Sequence, residues 1–148
     1  MNEQHTPKGF TEAVAVVGGG SWGTALANLL AEKGIEITLW VFEEDLCKEM
    51  QKTRENTLYL PGVQLSPLLK PGNSLETVLA GKRIVLMAVP SHVHRRVAMQ
   101  MLAFLQGPVV IVSATKGIEN ESLKTMSGVW DEIMPVGMDW EYAVLSGP

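Results

Sequence analysis

Gly18, Gly20 and Gly23 stand in the pattern G-x-G-x-x-G within Val17-Gly18-Gly19-Gly20-Ser21-Trp22-Gly23. At this spacing the first glycine permits a tight turn. The second lets an anion approach the backbone, and the third lets a helix pack closely on a strand. Exposed amides at the helix start, aided by the helix dipole, then hold a pyrophosphate. The pattern alone also fits a turn without a ligand. Here it lies between an apolar run and a helical pattern, which is the context a dinucleotide site requires. Ser21 either donates its hydroxyl to a phosphate or caps the helix. Trp22 either covers the pyrophosphate or packs against the sheet edge or the 102–104 region.

An acid about 20 residues beyond such a motif accepts from the ribose hydroxyls and selects NAD over NADP. Glu43 stands there, in Trp40-Val41-Phe42-Glu43-Glu44-Asp45. Three consecutive acids repel a 2′-phosphate, although the same run also suits a solvated helix N-terminus. Phe42 offers a flat face for adenine. NAD is the expected cofactor, with NADP left open. Lys116 follows an apolar run directly, so it projects from the carboxyl edge of a sheet, where open α/β sheets bind ligands. Its ammonium can neutralise a phosphate or polarise a carbonyl as negative charge develops. The Val89-Pro90-Ser91 turn occupies the equivalent edge of the preceding strand. Pro90 either faces the nicotinamide ribose or only punctuates strand and helix. His92 and His94 diverge on a helix, are poor metal or triad partners, and are assigned surface or packing roles.

The elements that position these residues follow from hydrophobic periodicity. Strands are expected over 13–18, 36–40, 83–89, 109–114 and 142–145. Helices are expected over 21–33, 44–53, 74–80, 92–105 and 121–134, with Asn73 or Ser74 capping the third and Ser91 the fourth. Prolines and glycines between 54 and 72 interrupt any period, so that segment reads as irregular. Strand–helix alternation with continuously apolar strands implies a doubly wound α/β domain. Its mostly parallel, Rossmann-like sheet is expected to carry helices on both faces.

The chain has 148 residues, 46% hydrophobic and 19% charged, enough for one core and one domain. Its single Cys47 excludes an intrachain disulfide scaffold. A net charge of −4 argues against a nucleic-acid surface. No apolar run approaches the roughly 20 residues that span a bilayer, and the polar start lacks a signal-peptide pattern. A cytoplasmic protein with no membrane partner is expected. Residues 1–11 read as a flexible lead-in and 12–148 as the dinucleotide-binding domain.

Five segments, in order, resemble the N-terminal domain of NAD(P)-dependent sn-glycerol-3-phosphate dehydrogenases. They are Gly18-Gly19-Gly20-Ser21-Trp22-Gly23-Thr24-Ala25-Leu26-Ala27, Arg54-Glu55-Asn56-Thr57-Leu58-Tyr59-Leu60-Pro61-Gly62, Ala88-Val89-Pro90-Ser91, Ala114-Thr115-Lys116-Gly117-Ile118-Glu119 and Val144-Leu145-Ser146-Gly147-Pro148. The Val-Phe-Glu-Glu-Asp stretch around Phe42 looks like the eukaryotic NAD-dependent branch. The resemblance implies reversible conversion of dihydroxyacetone phosphate to sn-glycerol 3-phosphate, a step toward phospholipid backbones. By motif match, Ser21, Trp22, Phe42 and Lys116 contact the cofactor, and Lys116 and Gly147 the substrate. A proton-transfer lysine is expected in a C-terminal helical domain beyond this chain, so the chain alone is expected to be inactive. A homodimer of the full-length enzyme is compatible with the same resemblance. Two other readings stay open. One is the cofactor domain of another two-domain dehydrogenase acting on ketopantoate, 6-phosphogluconate or a nucleotide sugar. The other is a stand-alone dinucleotide-sensing module.

Overall fold

In the computed structural model, which describes residues 12–146, strands and helices alternate along the chain. The expected lead-in over 1–11 and the expected substrate contact at Gly147 lie outside the described residues. The first strand, β1 (Val14–Val17), is buried along its whole length. Alternate residues of a strand face opposite sides. Val14 and Val16 accordingly join a cluster with Ala27, Ala31 and Met50, while Ala15 and Val17 join one with Val78, Ala98 and Trp130. The first cluster lies under α1 (Ser21–Glu32) and α2 (Glu44–Thr53). The second lies under α3 (Leu75–Leu79), α4 (Ser91–Met101) and α5 (Met126–Ile133).

The remaining strands are β2 (Ile37–Trp40), β3 (Leu69–Gly72), β4 (Ile84–Met87), β5 (Val109–Ser113) and β6 (Trp140–Val144). Six strands form one sheet in the order β3-β2-β1-β4-β5-β6, with every neighbouring pair parallel. This is the expected doubly wound, Rossmann-like α/β fold. The chain winds outward from β1 through β2 to β3, then returns to the other side of β1 as β4. The order therefore reverses between β1 and β4, and a crevice opens beyond the carboxyl ends of those two strands.

Four expectations change. Leu69–Gly72 forms strand β3 inside the segment read as irregular. Its Pro71 is tolerated because β3 lies at the edge of the sheet. Ser91 is the first residue of α4 and does not cap it; Pro90 holds the cap position, and the helix ends at Met101. The fifth helix starts at Met126, not at 121. Thr125 caps it by accepting from the Gly128 amide at 3.2 Å, and Leu123 adopts a left-handed φ of 58°. Finally, β6 is not buried on both faces, because Glu141, Ala143 and Val144 are exposed. No helix among the described residues is long and apolar enough to cross a membrane.

Candidate dinucleotide site

The glycine turn leaves β1 at the reversal point. Gly18 has φ +128°, and a Cβ there would lie 2.8 Å from the Ala88 carbonyl group, so both conformation and space demand glycine. A Cβ at Gly23 would lie 1.8 Å from the Gly18 carbonyl oxygen, hence the first turn of α1 can settle this deeply only on a glycine. Gly20 is different: apart from its own chain neighbours, nothing lies within 4 Å of its Cβ position. It is the N-cap residue of α1 and supplies no side chain, and Ser21 already belongs to the helix. Of the two readings of Ser21, capping is therefore not met, and the first-turn amides have no side-chain acceptor among the described residues.

Two lobes of a cleft meet at this turn. The larger, about 660 Å³, is lined by Ser21, Trp22, Ala88, Ser91, Ala114, Thr115 and Lys116. The smaller, about 320 Å³, is lined by Trp40, Phe42, Glu43, Tyr59, Val93, Arg96, Val97 and Gln100. Gly18, Gly20, Val89 and Pro90 belong to both. Trp22 is half exposed and lines the larger lobe. Lys116 is exposed at the mouth of the same lobe, beyond the end of β5. Phe42 is 72% exposed and meets Trp40 edge to face, with ring centroids 6.0 Å apart. A flat apolar group can lie on such a ring without displacing core side chains.

The acid run divides its labour. Glu44 pairs with Lys48 one turn along α2 at 2.7 Å, and that ammonium lowers its pKa. Glu43 accepts from the Tyr59 hydroxyl at 2.6 Å and borders the smaller lobe. The carboxylate, by taking the phenolic hydrogen bond, raises the Tyr59 pKa. The all-round arrangement fits a dinucleotide: a donor-rich backbone turn at the junction and a half-sized chamber on either side. The residues that could hold its diphosphate are Gly20 and the amides of Ser21 and Trp22.

Behind the larger lobe runs a chain of hydrogen bonds that sequence reading did not anticipate. Trp130 Nε1 donates to His94 Nε2 at 2.9 Å, so the imidazole proton sits on Nδ1. His94 Nδ1 then donates to Thr115 Oγ1 at 3.1 Å, and Thr115 Oγ1 donates to the Val89 carbonyl at 2.8 Å. His94 is fully buried, and burial pushes its pKa down to about 4. It thus performs the packing role expected of it, and it also ties the two loops at the carboxyl edge together. The Lys116–Glu119 loop is held from outside by Arg95, which grips Glu119 at 2.8 and 2.9 Å. That guanidinium and the Ser122 hydroxyl lower the Glu119 pKa to about 2.

Other residues missed from the sequence are Asn56, Tyr59 and Arg96. All three carry side chains capable of hydrogen bonding. The first two lie in a segment that the sequence marks as resembling the family but to which it assigns no individual roles, and Arg96 lies on a helix for which the sequence names no site residue.

Comparison with known proteins agrees with this geometry. The family described as NAD-dependent glycerol-3-phosphate dehydrogenase N-terminus matches residues 13–148. A glycerol-3-phosphate dehydrogenase [NAD(P)+] of Syntrophobacter fumaroxidans is 52% identical over 135 residues, covering 91% of this chain and 40% of its own. The crystal structure of glycerol-3-phosphate dehydrogenase from Coxiella burnetii superposes with a TM-score of 0.83 at 35% identity, covering 93% of this chain and 41% of its own. The enzyme of Saccharomyces cerevisiae gives 0.79 at 26% identity, with coverage of 92% and 42%. The chain thus spans about two-fifths of the length of the relatives it matches.

Proposed function

This chain belongs to the NAD-dependent glycerol-3-phosphate dehydrogenase N-terminal family, and we propose that it binds NAD(H) as the cofactor half of such an enzyme. The observation that carries the proposal is the glycine turn. It lies at the reversal of strand order, with open space before Gly20 and one lobe of the cleft on either side. In this reading the first-turn amides and Ser21 hold the diphosphate. Phe42 and Glu43 take the adenosine half, and Pro90 borders the nicotinamide ribose. Trp22 covers the junction. NAD is the preferred cofactor because Glu43 accepts from ribose hydroxyls and repels a 2′-phosphate; the similar bacterial relatives are named for NAD(P)+, and NADP is the second cofactor to test.

A reduced nicotinamide dinucleotide held by the first-turn amides, Phe42 and Glu43 would supply the hydride for reduction of dihydroxyacetone phosphate to sn-glycerol 3-phosphate, with a proton delivered to the carbonyl oxygen. Lys116 stands at the mouth of the nicotinamide lobe as the cation for the substrate's phosphate or its developing alkoxide. Gly147 is the second substrate contact by motif. The proton-transfer lysine belongs to the further length that the relatives possess, so this chain alone turns over little or no substrate. The product is a precursor of phospholipid backbones, made in the cytoplasm.

Fluorescence titration with NADH and NADPH tests the binding claim. Saturable NADH binding is expected, and no binding of either cofactor would sink the reading. Reduction of dihydroxyacetone phosphate by this chain, compared with a version extended to the relatives' length, tests the division of labour. Equal rates would place the proton-transfer group within residues 1–148.

A further inference from the structure

The segment from Arg54 to Gly62 supplies no residue of the glycine turn and no strand of the sheet, yet its Asn56 and Tyr59 side chains reach the residues that build the cleft. Asn56 is fully buried. Its Nδ2 donates to the Gly19 carbonyl and to Thr24 Oγ1, both at 2.9 Å, and its Oδ1 accepts from the Tyr59 amide at 3.0 Å. One amide side chain therefore fastens the backbone of Tyr59 to the glycine turn. From that anchored position the Tyr59 hydroxyl donates to Glu43 Oε1 at 2.6 Å.

A glutamate at the N-cap of a surface helix has several rotamers available, and fixing one costs entropy. A short bond to an ionised acceptor is among the stronger hydrogen bonds, and it favours a single carboxylate position. Tyr59 occupies one oxygen of Glu43, the other accepts no bond among the described residues, and Glu43 lines the smaller lobe. Arg96, from α4, lines the same lobe and is the cation to which a 2′-phosphate would be drawn. The lobe thus contains one group that repels such a phosphate and one that attracts it. Which of them prevails depends on where Glu43 stands.

We infer that Tyr59 is a positioning residue for cofactor choice: by holding Glu43 at the lobe it favours a free ribose and disfavours a 2′-phosphate. The inference rests on the proposed binding of a nicotinamide dinucleotide and adds to it the residue that sets its selectivity. In its absence Glu43 swings toward solvent. NADH then loses an acceptor, while NADPH loses a repulsive neighbour and keeps Arg96.

The test is Tyr59→Phe, which removes the hydroxyl and keeps the ring, measured by fluorescence titration with both NADH and NADPH. The Kd for NADH is expected to rise about three- to tenfold, and the Kd for NADPH to stay level or fall. In a Glu43→Ala background the same substitution is expected to leave the ratio of the two Kd values unchanged. A merely structural role for Tyr59 would weaken both cofactors by one factor, in either background. That result, an unchanged ratio on Tyr59→Phe alone, or a ratio that still shifts in the Glu43→Ala background, would overturn the inference. An unsubstituted chain that binds neither cofactor overturns the parent reading instead, and this inference with it.

Discussion

Trp130 and His94 meet through one hydrogen bond, Nε1 to Nε2 at 2.9 Å, in which the indole is always the donor. The imidazole must therefore keep Nε2 free of hydrogen. Protonation of His94 would set two N–H groups against each other inside the second core cluster.

Stability follows from this with a definite sign. The His94 pKa falls from an ordinary 6.5 to about 4 on burial, so the unfolded chain binds the proton more readily between those values. Stability is full above pH 6.5 and is lost as pH falls toward 4. By pH 5 the loss amounts to about 2 kcal/mol. Urea unfolding at pH 7 and pH 5 is expected to show it, and His94→Gln to abolish most of the difference. An equal loss in both proteins would trace the effect to other groups. Glu119, whose pKa is lowered to about 2, adds a separate loss only as pH falls below 4.5.

Gly20 and Gly23 are expected to respond to alanine in opposite ways. Gly23→Ala places a methyl group 1.8 Å from the Gly18 oxygen and should cost at least about 3 kcal/mol of stability. Gly20→Ala meets no protein atom and should cost at most about 1 kcal/mol as a poorer N-cap. Its methyl group instead occupies the space a diphosphate needs, so NADH affinity should drop by more than about tenfold. Thermal melts and NADH titration together check the pair. Retained binding by Gly20→Ala would remove the diphosphate from this turn.

Asn56→Ala should destabilise the fold by about 2–4 kcal/mol, because the Gly19 carbonyl and the buried Thr24 hydroxyl lose their common donor. Chemical denaturation measures it. A change below about 0.5 kcal/mol would mean that water replaces the amide without strain, as at an ordinary surface site.

Replacing Phe42 by Arg and Glu43 by Ser in one protein supplies a guanidinium and removes the carboxylate beside the smaller lobe. The preference between NADPH and NADH should move toward NADPH by about tenfold or more, read as the ratio of dissociation constants. An unchanged ratio would place the adenosine ribose elsewhere.

Sequence periodicity revealed the strands and helices whose apolar pattern is set by burial, such as Val14–Val17 and Glu44–Thr53. It missed Leu69–Gly72, since Lys70, Pro71 and Gly72 lack strand character and pair there only because β2 offers an edge. The glycine turn was legible because its chemistry is local in sequence. Asn56 and Tyr59 were not, because their partners Gly19 and Glu43 are 37 and 16 residues away and only the fold brings them together. The burial of His94 was not legible either, because its spacing from His92 carries no trace of Trp130, 36 residues beyond it.

Among the described residues β6 pairs with β5 alone, and its Val144 stands open to solvent. A terminal strand of this kind presents a row of unspent amides and carbonyls beside apolar side chains, a template on which another extended chain can continue the sheet. A lysine at Ala143 closes that margin to such pairing, because a charge on an open strand resists continuation.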